Sequence, residues 1–402
     1  MNQAINFGTD GVRGPAGQWP VSEAGAECIG LGIAAWCNRG EVCIGRDTRE
    51  SGPALVDALV RGLVRGGAHA IRLGVLPTAG VSAAVVADGF AAGVMITASH
   101  NPWQDNGLKV VGPTGEKLND PSPLLACFAS ATEAAGGTER CHAEPLGAWM
   151  EALPSLNLNG RRILLDAAHG AGALAASKAL VSMGAEVVEI GNTPNGRNIN
   201  AGVGAMCPPT DLHGCDFAIC LDGDADRLVM VHPESGVLNG DDLLWMLAQQ
   251  TRGPVVGTVM SNGGLEEALG GRLIRTAVGD AKVHAEMKRI GAAIGGEPSG
   301  HIMLNDGMPT SDGLYTALRI LEVAGNGPLP CHGWKRWPQA HRNVRNVQLR
   351  TDIAAIKDAE KEGHRVLVRA SGTEPLVRVM VEGDRCEHWA TAIESALVNQ
   401  TG

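Results

Sequence analysis

The sequence predicts an α/β protein: three similar mixed α/β domains followed by a smaller C-terminal domain of another type. Three observations carry this. Short apolar runs ending at Gly or Asp alternate with helical stretches, that rhythm restarts twice, and Gly makes up 55 of 402 residues, as many tight strand-to-helix turns require. The runs are EVCIGRD (41–47), AIRLGV (70–75), GVMITAS (93–99), RILLDAAHG (162–170), AEVVEIG (185–191), FAICLDGD (217–224), RLVMVH (227–232) and VVGTVMS (255–261). Helical stretches fall at 51–65, 173–183, 241–250 and 279–290. Strands and helices alternating at this spacing predict βαβ units and mostly parallel sheets. A polar Gly/Thr-rich stretch at 134–142 precedes the second start, a third start comes near 253–259, and a Trp/Pro-interrupted segment at 328–342 sets off the last block. The expected domains are 1–148, 149–252, 253–338 and 339–402, each of ordinary domain size.

Composition narrows the function. With 44% apolar residues the chain has ample core, and a net charge of -10 argues against non-specific binding to nucleic acid or an anionic membrane. An anionic ligand must then be drawn in by local arginines. The N-terminus has neither the basic start nor the apolar run of a signal peptide, and no apolar stretch is long enough to span a bilayer. The ten cysteines are scattered without a C-x-x-C pair. Reduced thiols in a cytoplasmic protein are expected, with disulfide or zinc roles as the alternative.

Three loops can do chemistry. The run ending at Ser99 leads into Ser99, His100 and Asn101, with Lys109 ten residues after the serine. A serine on a tight loop beside a basic residue is a candidate phosphoryl carrier. In DGDADR (222–227), Asp222, Asp224 and Asp226 sit at alternate positions after an apolar run, so their side chains can converge on one hard cation such as Mg²⁺. A calcium-binding EF-hand loop is excluded, because Arg227 stands where its glycine belongs and Pro233 where its last glutamate belongs. A solvated acidic turn is the alternative. In RASGTEPLVR (369–378), Arg369, Ser371, Gly372, Thr373 and Arg378 offer guanidinium groups, hydroxyls and a permissive backbone to a phosphate; the alternative is an ordinary turn between two strands.

Weaker signals surround these. In GGEPSGHIML (295–304), Glu297, Ser299 and His301 alternate along a Gly/Pro-rich loop, suiting vicinal sugar hydroxyls and a proton transfer at neutral pH, or serving structure only. Arg13 in FGTDGVRG (7–14), and Arg46 and Arg49 in GRDTRESG (45–52), are either substrate-facing or plain salt-bridge residues.

Taken in order, FGTDGVRG, GRDTRESG, GVLPTAGV, TASHNP, NINAGVG, DGDADR, GEPSGH and RASGTEPLVRVMVEG run nearly end to end. In that order the set resembles the α-D-phosphohexomutase family, and its first two motifs lean toward the glucosamine branch. The resemblance implies four domains around a central cleft, three alike and the fourth a smaller α+β lid. It implies a reversible exchange of phosphate between the 6 and 1 positions of a hexosamine or hexose phosphate. The route would be a phosphorylated Ser99 and a sugar bisphosphate, which also acts as activator. Ser99, Lys109, Arg13 and His301 would be catalytic. The Ser99 phosphate with Asp222, Asp224 and Asp226 would hold one Mg²⁺. Arg227, Glu297, Ser299, Arg369, Ser371, Gly372, Thr373 and Arg378 would bind substrate. A monomer or homodimer is expected, with neither nucleic acid nor membrane as partner. Pro298 stands where glucosamine-specific relatives usually carry Gln, so this loop is where sugar preference needs testing. Outside the mutases, a sugar phosphatase would use the same serine and metal but release phosphate. A silent sugar-phosphate-binding protein would need no phosphoryl acceptor.

Overall fold

Parallel strands buried on both faces read as continuous apolar runs, and every run named above folds as a strand. The computed structural model describes residues 5, 7–8, 11–118, 120–325, 327–331, 333–371 and 376–399. The first sheet holds β1 (Val12–Pro15), β2 (Glu41–Arg46), β3 (His69–Val75), β4 (Ala92–Ile96), β5 (Asp105–Val111) and β6 (Thr138–Cys141), in the order β1-β5-β4-β2-β3-β6. The second holds β7 (Arg162–Asp166), β8 (Glu186–Ile190), β9 (Phe217–Leu221), β10 (Leu228–His232) and β11 (Gly236–Leu238), in the order β11-β10-β9-β7-β8. The third holds β12 (Val255–Thr258), β13 (Leu273–Thr276), β14 (Ile294–Gly296) and β15 (Ile302–Leu304), in the order β13-β12-β14-β15.

These sheets share one plan. In each, a first strand (β2, β7, β12) pairs in parallel with a second (β3, β8, β13) and a third (β4, β9, β14), and a fourth (β5, β10, β15) lies antiparallel beside the third. The expectation of mostly parallel sheets therefore needs one correction: the fourth strand reverses. The loops joining third to fourth strand are too short for a parallel crossover, which takes about a dozen residues or more.

Helices α1 (Glu23–Trp36), α2 (Gly52–Arg65), α3 (Thr78–Asp88) and α4 (Ser122–Ser130) accompany the first sheet, and α5 (Gly147–Ala152) and α6 (Gly172–Ser182) the second. The third sheet has α7 (Gly240–Ala248), α8 (Gly263–Ala268), α9 (Asp280–Ile290) and α10 (Gly313–Ala324). Helix α10 packs on β15 and also on β9 and β10, so one hydrophobic core runs unbroken from the second sheet into the third. That shared core fixes the second and third units as one support for the loops between them.

The C-terminal unit is a separate small sheet of β16 (Gln339–Arg345), β17 (Arg365–Ala370) and β18 (Leu376–Glu382), all antiparallel in the order β16-β18-β17. Helices α11 (Ala354–Lys361) and α12 (Cys386–Val398) cover one face with their own core. A polar joint attaches this unit to the third. Arg365 donates to the carbonyls of Val259 (2.6 Å) and Ser261 (2.8 Å), and the fully buried Glu382 accepts from Gly263 N at 2.9 Å. Polar joints of this kind move more readily than a shared apolar core. No helix among the described residues is long and apolar enough to cross a membrane.

Candidate active site

The repeated strand order decides where the site forms. The loops carrying Ser99, DGDADR and GEPSGH each join a third strand to its antiparallel fourth (β4–β5, β9–β10, β14–β15). All three thus leave the carboxyl end of an equivalent strand, the edge where open α/β sheets bind ligands. Backbone bonds then lock the middle loop to its neighbours. Thr78 N donates to Asp224 O (3.0 Å), Ala171 N to Gly223 O (2.8 Å), Gly313 N to Ala225 O (2.9 Å) and Leu228 N to Gly300 O (3.0 Å).

Ser99 and the three aspartates meet directly. The buried Ser99 Oγ donates to Asp222 Oδ2 at 2.6 Å, and its backbone N donates to Thr97 Oγ1 at 2.9 Å. Carboxylate oxygens of Asp222, Asp224 and Asp226 lie within 4.8 Å of one another, all buried. Three carboxylates so close cannot all ionise at ease without a countercharge. Burial, then the Asp226 and Asp224 charges, push the Asp222 carboxyl up to about 7. Burial and Asp226 also push against the charge on Asp224, but the Lys109 ammonium and the Thr78 hydroxyl outweigh them and hold it below the usual carboxylate range. Burial opposes charge on Asp226 as well, and Lys109, His301 and Lys117 hold it well below.

These residues fit a hard divalent cation. Asp224 Oδ1 and Asp226 Oδ1 are buried with no hydrogen-bond partner among the described residues, and an all-oxygen donor set is what Mg²⁺ takes.

Cations ring the carboxylates. Lys109 leaves β5 with its Nζ 2.5 Å from Asp224 Oδ2 and 2.9 Å from Asp226 Oδ2. Burial works against its charge, but the two aspartates raise its pKa and keep it protonated. Arg227 N donates to Asp222 Oδ1 at 3.2 Å, and its guanidinium Nε lies 3.9 Å from Asp222 Oδ2. Arg13, on β1 and half-buried, is close enough that its charge acts on both His100 and Lys109. Burial, then Arg227 and Arg13, lower the His100 pKa to about 4, so a neutral imidazole faces Ser99 with Nδ1 3.5 Å from Oγ.

His301 sits deeper than a loop histidine need. Its Nδ1 is 3.7 Å from Asp226 Oδ1, and its Nε2 is 3.3 Å from Asp280 Oδ2 and 2.5 Å from Ser311 Oγ. Burial opposes its charge, yet Asp226 and Asp280 raise its pKa above the ordinary value. Asp280, at the start of α9, also pairs with Lys117 from the first unit.

The remaining sequence-predicted residues divide between two faces. Glu297 is buried and accepts from Gly279 N at 2.9 Å, whereas Ser299 is exposed. Across the C-terminal sheet, Asn343, Arg378 and Arg369 stand in one register row on the face opposite the helices. With Met260 and Leu367 they help line a cavity of about 220 Å³. Burial, then the like charge of Arg378, lowers the Arg369 pKa, while Glu297 opposes this from the third unit. Ser371 Oγ is buried without a partner among the described residues. Gly372 and Thr373 lie outside the described residues.

The open question of Arg49 has a definite answer in the fold. It is fully buried, pairs with Asp47 at 2.8 Å and turns its guanidinium into the backbone of the Ser99 loop, away from substrate space. Sequence reasoning passed over Thr78, His100 and Asp280 as site residues. His100 stood in the Ser99 loop itself and Thr78 in the PTAG segment, but Asp280 carried no local signal.

Known proteins resemble this chain in sequence and fold. Models described as phosphoglucomutase/phosphomannomutase α/β/α domain I, α/β/α domain III and C-terminal domain match residues 4–132, 239–332 and 328–400. The chain is 38% identical to the phosphoglucosamine mutase of Solibacter usitatus over an alignment 441 positions long, covering 98% of this chain and 99% of that one. A putative phosphomannomutase from Thermus thermophilus has the same fold, with a TM-score of 0.77 and 26% identity over 100% of both chains. The Aspergillus fumigatus N-acetylphosphoglucosamine mutase, solved with GlcNAc-6P and magnesium, is similar in fold: its TM-score is 0.67, with 18% identity over 98% of this chain and 95% of that one. The chain belongs to the phosphoglucomutase/phosphomannomutase family, the α-D-phosphohexomutases, isomerases that transfer phosphate within one molecule.

Proposed function

We propose that the chain interconverts glucosamine 6-phosphate and glucosamine 1-phosphate through a phosphorylated Ser99 and a glucosamine bisphosphate. The observation that carries this is the 2.6 Å bond from Ser99 Oγ to Asp222, at the edge of the buried three-aspartate cluster. The choice of sugar is supported by relatives named phosphoglucosamine mutase at 38–40% identity over most of the chain.

In the forward direction the phosphoryl group leaves Ser99 Oγ for the free 1-hydroxyl of the substrate. The P–Oγ bond breaks as the P–O bond to the sugar forms, Ser99 Oγ takes a proton and the sugar hydroxyl gives one up. Lys109, held protonated, is the proposed acid toward Oγ and charge stabiliser, and His301 is the proposed relay that returns the sugar's proton to it. The bisphosphate turns end for end, and its 6-phosphate returns to Ser99. Glu297 and Ser299 are proposed to hold sugar hydroxyls. Arg369, Ser371, Gly372, Thr373 and Arg378 are proposed to hold whichever phosphate is not in transfer. Arg13 and Arg227 would neutralise charge beside Ser99. Asp222, Asp224 and Asp226, with an oxygen of the Ser99 phosphate, would hold one Mg²⁺, which when bound withdraws charge from the phosphoryl oxygens. A sugar 1,6-bisphosphate would supply the first phosphate. The four sheets each fall within one of the proposed domains, 1–148, 149–252, 253–338 and 339–402, and the last is proposed to close over the turning intermediate.

The test is a substrate panel on phosphorylated enzyme, comparing kcat/KM for the 6-phosphates of glucosamine, glucose and mannose. Glucosamine 6-phosphate is expected to lead; a value below that for glucose overturns the choice of sugar. Net phosphate release without isomer exchange would favour a phosphatase instead. Arg369→Ala is expected to raise KM by about 10- to 100-fold with a smaller change in kcat, the pattern of a lost phosphate contact. An unchanged KM counts against the C-terminal phosphate site.

A further inference from the structure

Two donors from different units, the buried Arg49 and the half-buried Asn200, converge on the backbone of the Ser99 loop. Arg49 Nη2 donates to the carbonyls of Ser99 and Asn101, each at 2.8 Å, and its Nη1 reaches the carbonyls of Pro102 and, at 3.0 Å, Asp105. Asn200, in the NINAGVG segment of the second unit, sends its Nδ2 to the same Ser99 and Asn101 carbonyls, at 2.9 and 3.1 Å. Asp47 completes the network on the first unit's side. It holds the Arg49 guanidinium and accepts from Thr97 Oγ1 at 2.7 Å, which in turn receives the Ser99 amide.

The loop needs this restraint. Ser99 has φ +52, a left-handed conformation that a residue with a Cβ adopts only when its surroundings impose it. Asn200 also sits at φ +58, which asparagine tolerates better than most residues. Its Oδ1 is buried without a partner among the described residues, so only the donor half of the amide is in use. Packing is tight where the two loops meet. A Cβ on Gly223 would lie 2.5 Å from Ser99 O and 3.0 Å from Asn200 Nδ2. Backbone against backbone at that spacing is what lets Ser99 Oγ reach Asp222.

We propose that Asn200, acting with Arg49, is a positioning residue for phosphoryl transfer at Ser99. It ties the serine loop of the first unit to the unit bearing the three aspartates, so Oγ and the carboxylates keep their spacing while the C-terminal unit moves. Asn200 touches neither phosphate nor sugar in this scheme; it acts only through the Ser99 backbone. The inference rests on the phosphoserine reading above. Loosening the tie has two consequences. Transfer to the sugar slows, because misplacement on the ångström scale weakens positioning. Water also gains access: its oxygen bonds to phosphorus, the P–Oγ bond breaks, Oγ takes a proton, and inorganic phosphate leaves.

The experiment loads wild type, Asn200→Ala and Asn200→Asp with glucose 1,6-bisphosphate. It then follows phosphoserine by intact mass, phosphate release without sugar, and kcat and KM with sugar. Asn200→Ala is expected to lower kcat by about 10- to 100-fold at nearly constant KM and to shorten the phosphoserine lifetime several-fold. Asn200→Asp, isosteric but with a carboxylate against two carbonyls, is expected to do worse in both. Should either fail to fold, Arg49→Lys, which keeps the charge facing Asp47 but loses the planar fork, is expected to show the same pair of changes. Wild-type kcat and phosphoserine lifetime in Asn200→Ala overturn the inference. So does an activity loss that follows a lowered melting temperature while the phosphoserine lifetime stays unchanged. A wild-type Ser99 that takes no phosphate overturns the proposed function and this inference together.

Discussion

Replacing Ser99 with alanine is expected to lower kcat for hexosamine-phosphate isomerisation by at least about 10⁴-fold, the scale set by removing a covalent nucleophile. The hydroxyl is the only group removed, so the loop keeps its backbone restraints from Arg49 and Asn200, and the buried Asp222 oxygen left unpaired costs about 1–3 kcal/mol. Intact-mass analysis supplies the second readout. Wild type is expected to carry a single phosphate on part of the population, and the variant none. An alanine variant with substantial turnover, or a fully active wild type that never carries phosphate, would remove Ser99 as carrier. Because Ser99 Oγ donates to Asp222 Oδ2, the alanine also removes that hydrogen bond and leaves the carboxyl the one from Arg227 N. Ser99→Cys, which keeps a donor of a poorer kind, separates the two effects.

The second large effect is expected at Asp224. Asp224→Ala removes one of three candidate metal ligands and one of the two carboxylates facing the Lys109 ammonium. Both partners are buried, and breaking such a pair from one side costs about 3–5 kcal/mol of stability. Asp224→Asn keeps the shape and the Thr78 contact distance while dropping the charge. Turnover in the asparagine variant is expected to fall by about 10³-fold and to lose its dependence on Mg²⁺. Titrating Mg²⁺ into chelator-treated enzyme checks this, with melting curves for both variants run alongside. Chelation is expected to abolish wild-type turnover, with recovery on adding Mg²⁺. Near-normal, Mg²⁺-dependent activity in Asp224→Asn would show that the metal assignment is wrong.

How much of this was legible in the chain depends on how local each signal is. Strands that lie in the middle of a sheet announce themselves, because both faces are covered and the run is apolar throughout. The FAICL of β9 and the RILLD of β7 are of this kind. Their neighbours in the sheet were not legible. The direction of β10 against β9 was, because the loop between FAICL and RLVMVH is too short for a parallel crossover, a signal that the expectation of mostly parallel sheets passed over. The exposed TERC of β6 gave no run at all. The same divide runs through the site. Asp222, Asp224 and Asp226 were readable because alternation along one loop is enough to place three side chains together. Asp280 carried no local signal, and Thr78 and Asn200, though inside the GVLPTAGV and NINAGVG segments, could not be given roles, since each acts through a contact from another part of the chain.

By itself, then, the sequence determined the α/β class, the repeated domain rhythm, and the serine, aspartate and arginine groups able to handle phosphate. Those follow from short-range rules: side-chain periodicity, turn chemistry and the donors each residue type carries. Only the tertiary structure decided that the Ser99, DGDADR and GEPSGH loops occupy the same place in three repeated sheets. Only there does Lys109 neutralise Asp224 and Asp226, and Arg49 serve the Ser99 backbone and not a substrate. The physical reason is that a buried charge or strained residue is tolerable only against specific partners, and those partners are brought together by packing, not by adjacency in the chain.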